Sequence, residues 1–273
     1  MNRMPDLITD TVSALLDGAD AVAQPLDLYT GAGTDFYERL VGPDRVEVRE
    51  VLGLARVTAD PVLDIAAGSG RLTIPLLRSG KQVTAIDTSR DMLSHLRRAM
   101  PDHPRLDCVV ADMRDFHLGR RYGLIVLGAT SVTLLDREDR SLLFARVHEH
   151  LTPDGVFALT VAGGAAAESL ASARDQEITV PGPAGTDIYL FSQQIEEGGA
   201  VRVVNWVRAS DIAAGASVPV LTSRLHVLGH EVLSSELVEA GFAVPDVAPV
   251  RSPGGTDILL LTTSRGRSPG GTG

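Results

Sequence analysis

From Pro61 to Ala162, apolar stretches of strand length alternate with amphipathic stretches of helix length. No other feature limits the possible folds of this chain as strongly. The apolar stretches are PVLDIAA, QVTAIDTS, LDCVVADM, YGLIVLGA and VFALTVA. Between them lie RLTIPLLRSG, closed by Gly80, SRDMLSHLRRAM, stopped by Pro101, and REDRSLLFARVHEHL, ended by the turn TPDG. The only strand-to-strand link without a helix is the short polar one before YGLIVLGA. Repeated strand–helix alternation predicts an α/β fold with a doubly wound, mostly parallel sheet.

The first strand runs into the turn IAAGSGR, where small residues and two glycines stand between an acid and a helix. Such a turn brings backbone N–H groups close to a ligand at a helix start. A phosphate-binding loop would need Gly-Lys-Ser/Thr, and here Gly70 is followed by Arg71 and Leu72. A dinucleotide fingerprint would need Gly or Ala three residues after Gly70, and that residue is Thr73. The turn suits a nucleoside ligand that lacks a pyrophosphate.

The flanks of the alternating run read differently. Before it come the helical patterns DLITDTVSALLDGAD and RVEVREVLGLAR, with a loop and short helix in LYTGAGTDFYERLV. After Gly163 comes a small-residue stretch, AGGAAAESLASARD, of loop or helix. TDIYLFSQQIEE and AVRVVNWVRAS then flank Gly198-Gly199 as a long hairpin, followed by the strand TSRLHVLG. HEVLSSELVEAGF reads as a helix, and AVPDVAPV and TDILLLTTS as strands. The expected organisation is a helical lid over 1–58 and a core over 59–163. An antiparallel insertion follows over 164–229, then completion of the core sheet over 230–264 and a disordered tail over 265–273. The inserted hairpin is placed either to cap a ligand cleft or to pair two subunits.

Bulk properties narrow the partners. The formal net charge of −10 disfavours duplex nucleic acid and anionic membranes, both of which call for clustered Lys and Arg. A single cysteine, Cys108, rules out a disulfide within the chain and reads as a small buried residue. With no apolar run of membrane length and no signal-peptide pattern at MNRMPDLITD, the expectation is a soluble cytoplasmic protein.

In an open α/β sheet, ligands sit beyond the carboxyl ends of the strands. The first strand carries Asp64 and the turn with Gly68 and Gly70. The second ends in Asp87, 23 residues after Asp64, a spacing that suits a carboxylate accepting two ribose hydroxyls. Thr88 and Ser89 are available to cap the next helix. The third ends in Asp112 and Met113, an acid for an exocyclic amine and an apolar face for a base. The fourth leads into LGATSVTLLD, where small and hydroxyl residues leave space at a reacting centre. Asp64 either faces the ligand or holds loop amides beneath it.

These segments, LDIAAGSGR, VTAIDTSRDML, CVVADMRDF and GLIVLGATSV, resemble the successive motifs of class I S-adenosylmethionine-dependent methyltransferases, over about residues 25–165. One departure is Ala66, where that family often has glycine; alanine fits there if its φ is not positive. A narrower resemblance takes in DLYTGAGTDFYERL, ARVHEHLTPDGVFALTVA, the late hairpin and SSELVEAGF. These are similar to N-methyltransferases of peptide natural-product pathways, of the glycopeptide and daptide types. The resemblance implies a Rossmann-like fold and S-adenosylmethionine as cofactor. The implied acceptor is an amine on a peptide or related small molecule, methylated once or twice. It implies cofactor contacts from Tyr29, Tyr37, Asp64, Ala66, Gly68, Gly70, Asp87, Thr88, Met92, Asp112, Met113 and Gly128. Tyr29 and Tyr37 would come from the lid, where packing of an amphipathic helix is the plainer role. Loop amides would meet the cofactor carboxylate.

Thr130 and Ser131, after the fourth strand, are candidates to accept protons of the acceptor amine, and His226 to touch the substrate. His226 and His230 do not make a helical metal pair, because Gly229 and strand context intervene. HEH at 148–150 reads as surface. Trp206, Tyr189, Phe191 and Asn205 belong either to a cleft or to a subunit interface. Rival readings are an O- or C-methyltransferase on a small metabolite, and a catalytically silent cofactor-binding subunit.

Overall fold

The structure, a computed structural model, describes residues 7–41, 46–182, 185–250 and 258–266. In chain order it opens with α1 (Asp10–Gly18), β1 (Val22–Asp27) and α2 (Ala32–Val41). The alternating region holds α3 (Val48–Val57), β2 (Val62–Ile65), α4 (Thr73–Arg78), β3 (Val83–Asp87), α5 (Arg90–Ala99) and β4 (Leu106–Val110). It continues through β5 (Tyr122–Leu127), α6 (Arg137–His150) and β6 (Leu151–Ala162). Next come α7 (Gly164–Leu170), β7 (Arg174–Gly182), β8 (Gly185–Glu196), β9 (Val201–Arg208) and β10 (Ser217–His226). The last elements are α8 (His230–Glu239), β11 (Asp246–Pro249) and β12 (Ile258–Thr263).

Two compact units emerge, one of residues 45–167 with 228–273 and the other of residues 1–44 with 168–227. The first contains a seven-stranded sheet in the order β11-β12-β6-β5-β2-β3-β4. Neighbours from β6 to β4 run parallel, whereas β12 lies antiparallel to both β6 and β11. The α/β fold anticipated from the alternation is therefore present, with β12 inserted between β6 and β11. Leu63, Ile65, Ile125, Leu127, Phe157 and Leu159 are fully buried and form its centre with Phe144 and Leu143 of α6. This is why β2 and β5 read as unbroken apolar runs: both faces of a parallel sheet are covered. A buried ion pair joins α6 to α8, with Arg140 Nε and Nη2 donating to Glu236 Oε2 and Oε1 at 2.7 and 2.6 Å. Arg140 Nη1 also donates to Leu135 O, tying down the connection after β5.

The second unit is a five-stranded sheet in the order β1-β10-β9-β8-β7, antiparallel except for the β1–β10 pair. The hairpin around Gly198-Gly199 is present as β8 and β9. On one side Val12 and Leu16 of α1 pack on Val207, Val218 and Val220. α2 contributes Phe36, whose ring lies 4.5 Å from that of Tyr189 and 5.2 Å from that of Trp206.

Several boundaries differ from the sequence reading. The N-terminal segment is not a separate lid over 1–58: its first part supplies α1, β1 and α2 to the antiparallel unit, while α3 belongs with the parallel sheet. Removing residues 1–40 would strip Val12, Leu16 and Phe36 from that unit. Tyr189, Phe191 and Trp206 form neither cleft nor interface; they are buried against one another and Phe36 as the unit's own core. Asn205 is also buried, accepting from Thr9 N at 2.7 Å and donating to Leu7 O. His150 is buried rather than on the surface, its Nε2 accepting from Leu118 N at 3.1 Å. Cys108 is only half-buried, on the edge strand β4. Of the tail expected over 265–273, Arg265 instead bridges to Phe242, and residues 267–273 lie outside the described residues. Among the described residues no helix is long and apolar enough to cross a membrane.

Candidate active site

In the seven-stranded sheet, β2 and β5 are neighbours from which the chain winds in opposite directions. Their carboxyl ends open the crevice where such sheets bind ligands. Asp64, Ala66, Gly68, Gly70, Asp87, Asp112, Gly128, Thr130 and Ser131 all lie at or just beyond strand ends of this unit.

The turn after β2 is built from left-handed backbone. Ala66 has φ +53°, Gly68 +55° and Gly70 +98°. The condition set for alanine at position 66 is thus not met, and a side chain in that region costs about 1–2 kcal/mol. Glu47, Ala129 and Thr130 also have positive φ. Four of the seven described non-glycine residues in this conformation therefore gather at this end of the unit, as strained backbone does at functional sites.

Asp87 closes the turn. Its Oδ2 accepts Gly68 N and its Oδ1 accepts Ser89 N, each at 2.8 Å, and the Thr88 amide also favours the anion. Burial raises its pKa, and the three amides act the other way. Ser89, not Thr88, caps α5, its hydroxyl accepting from the amide of the buried Met92. A carboxylate has about four acceptor positions, so beyond the two amide bonds at 2.8 Å Asp87 retains capacity for a pair of hydroxyls. Gly68 beside it borders open space: a Cβ there would meet only Met92 Sδ, at 4.0 Å. An anchored acid next to uncovered backbone fits the ribose of a nucleoside.

The other two glycines have a different reason. A Cβ on Gly70 would lie 2.5 Å from Leu96 Cδ1, and one on Gly128 2.6 Å from Leu72 Cδ1 and 2.7 Å from Glu47 Oε1. Both are required for packing beneath the crevice. The turn amides are also less available to a ligand carboxylate than expected. Ala67 N donates to Ile86 O, Gly68 N to Asp87, and Gly70 N to Ala67 O.

Asp64 is buried and bonds the side chain of Thr73 rather than the loop amides expected of it. It is 2% exposed and accepts the Thr73 hydroxyl at 2.6 Å. Burial pushes its pKa up to about 7; the Thr73 bond and the Arg71 charge oppose that shift, while Asp87 and Glu47 add to it. Asp112 is partly exposed and held by Arg114, whose Nη2 lies 2.6 Å from Oδ2 and whose backbone N–H donates to Oδ1. Those bonds hold its carboxyl below the usual range. Met113 packs against the sheet core.

The sequence reading missed Glu47 and Arg71. Glu47, 2% exposed, forms an ion pair with Arg71 Nη2 and accepts Ala129 N at 2.8 Å. Arg71 Nη1 donates to Val46 O. This pair locks the approach to α3, the glycine turn and the loop after β5 together. Glu47 lies in a charged stretch that reads as solvent-facing, and nothing in its spacing marks it as buried. In the same loop, Thr130 N donates to Thr160 Oγ1 and Thr130 O accepts from Thr133.

Tyr29, Tyr37 and His226 belong to the antiparallel unit. The two tyrosine rings pack edge to face, 5.2 Å apart, and burial raises the Tyr29 phenol above its ordinary range. His226 ends β10, half-buried.

Residues 62–155 match a family model described as a methyltransferase domain. The chain is 30% identical over 129 residues to dTDP-3-amino-3,4,6-trideoxy-alpha-D-glucopyranose N,N-dimethyltransferase of Streptomyces venezuelae, covering 47% of this chain and 51% of that protein. It thus spans about half the length of the curated relatives it matches. Among solved structures, it resembles the glycopeptide N-methyltransferase MtfA complexed with S-adenosylmethionine. That match has 30% identity and a TM-score of 0.59 and covers 81% of this chain and 93% of the other. Streptomyces venezuelae DesVI shares the fold, with a TM-score of 0.63 at 22% identity over 85% of this chain and 98% of its own. With the strand-end acids and the glycine turn in register, the chain belongs to the class I S-adenosylmethionine-dependent methyltransferases.

Proposed function

We propose that this chain is an N-methyltransferase that methylates a primary amine of a peptide or related natural product, once or twice. The observation that carries the reading is 30% identity with a glycopeptide N-methyltransferase across 93% of that chain. The partial match to an amino-sugar N,N-dimethyltransferase supports an amine acceptor and extends its source to a sugar.

Bound S-adenosylmethionine supplies an electrophilic methyl group on a sulfonium. The task left to the protein is to hold the donor, align the acceptor lone pair and exclude water. Asp87 is the residue for the ribose hydroxyls, with Gly68 allowing close approach. Asp112 can offer an oxygen to an exocyclic amine only by sharing the carboxylate with Arg114. Three acids of this unit are engaged within the protein, Glu47 by Arg71, Asp64 by Thr73 and Asp112 by Arg114. That suits an acceptor that needs no strong base, since a neutral amine carries its own lone pair. Thr130 and Ser131 are the residues proposed to accept its protons, and His226 remains a proposed substrate contact.

The test is turnover of methyl-labelled cofactor with a panel of peptides, amino sugars and phenols, read by mass spectrometry over a pH series. Methylation on nitrogen is expected, with a rate that rises with pH and levels near the acceptor's own pKa, about 8 for a peptide α-amine. Methylation confined to a hydroxyl would replace this reading with the O-methyltransferase one. No transfer despite cofactor binding would favour a silent subunit.

A further inference from the structure

Within the antiparallel unit, most buried or half-buried arginines have acids. Arg39 and Arg208 share Asp187, and Arg224 pairs with Glu196 and Glu197. Arg202 differs. It stands in the middle of β9 between β8 and β10, half-buried, and its only hydrogen bond among the described residues is to Gln193 Oε1, at 2.9 Å. That bond leaves most of the five guanidinium donors without an acceptor.

The surroundings are arranged around this cation. Gln193 is buried, and its Nε2 donates to Ser169 O, Leu170 O and Ser172 O, which forces Oε1 toward Arg202. The strand register sets Ser223 and Gln193 opposite Val204, two residues along β9, and so on the same face as Arg202. The Ser223 hydroxyl is buried beside the Tyr29 phenol and reaches no partner at hydrogen-bond geometry among the described residues. Tyr29 interacts electrostatically with Arg202, and Arg174 adds a second positive charge from β7. Asp27, the acid that acts on this corner, accepts the backbone N–H of Tyr29 at 2.8 Å. Guanidinium, phenol and hydroxyl thus lie near one another within this unit, and the chain as a whole carries −10. A cation held in place without an acid is a recognition site for a planar or tetrahedral oxyanion.

We propose that Arg202, with Tyr29 and Ser223, binds the carboxylate or phosphate of a small-molecule ligand. Oxyanion binding is read directly, without any methyl transfer. Acetate, inorganic phosphate and pyrophosphate are titrated into the full chain loaded with S-adenosylhomocysteine, and the arginine Nε–Hε resonances are followed by NMR. A saturable shift of the Arg202 resonance is expected with at least one of these, and not with chloride at equal ionic strength. Arg202→Gln should weaken that binding by about tenfold or more, the loss of a charge-assisted bond. Arg202→Lys, which keeps the charge without the fork, should fall between and serves if the first variant does not fold. Saturation by acetate points to a carboxylate ligand, and saturation by phosphate or pyrophosphate to a phosphorylated one. No saturable shift with any of the three overturns the proposal. So does oxyanion binding that is unchanged in a folded Arg202→Gln protein.

Discussion

Asp64 makes the stability of the parallel unit depend on pH in a direction opposite to that of an ordinary paired carboxylate. The folded protein holds its pKa at about 7 because burial penalises the anion, while in the unfolded chain the group has its ordinary value of 3.8. The native state therefore keeps a proton that the unfolded state has already released. Stability is unaffected by this group below about pH 4, falls as pH rises through the window from 3.8 to about 7, and stays low above it. A shift of about three units at ~1.4 kcal/mol each sets a scale of about 4 kcal/mol for the full penalty. With the side chain 2% exposed, solvent offers little screening. Between pH 5 and pH 8 the share lost is about 2–3 kcal/mol. Asp64→Asn cannot ionise, so its stability relative to the natural protein should improve by about that amount over the same interval. Urea unfolding of both proteins at the two pH values measures the difference, and carboxyl-carbon NMR of Asp64 reads the midpoint directly. A stability difference that does not change between pH 5 and pH 8 would refute the argument.

Other expectations follow from single contacts. Ala66→Gly should leave thermal stability equal or higher, because relief of the positive φ offsets the added freedom of the unfolded chain. Ala66→Val should lower it by more than about 1 kcal/mol, since a β-branched residue fits that backbone worse. Phe36→Ala removes a fully buried ring from Tyr189 and Trp206. It should cost about 3–5 kcal/mol in the antiparallel unit, seen as earlier denaturation in the fluorescence of Trp206, the only tryptophan. Glu47→Gln keeps the shape but removes the charge opposite Arg71. It should destabilise by about 3 kcal/mol or more, as when one partner of a buried ion pair is removed, and unchanged melting would show that the pair does not hold the loops together.

The parallel sheet was legible in the sequence because its strands are buried on both faces and its helices on one, so composition and period both carry the pattern. β1 and β7 were not legible for the converse reason. Each is an edge strand with most of its residues at least partly exposed, and VAQPLD and RDQEITVPG lack an apolar run. The strand-end acids could be located by spacing, but spacing does not fix what each one faces. Asp87 points to the turn as its position suggests, whereas Asp64 turns inward to Thr73. Asp112 folds back on Arg114, a partner two residues away that the local sequence ADMR contains. The Glu47–Arg71 pair joins residues 24 positions apart through burial of both charges, and no local pattern encodes that.

The central claim is that the strand ends of the parallel unit hold S-adenosylmethionine through Asp87. Isothermal titration calorimetry of S-adenosylhomocysteine against the natural protein and Asp87→Ala tests it, with circular dichroism confirming that the variant is folded. Loss of two charge-assisted hydrogen bonds should lower affinity by about 2–4 kcal/mol, some thirtyfold to several hundredfold. Unchanged affinity in a folded Asp87→Ala protein would contradict the account.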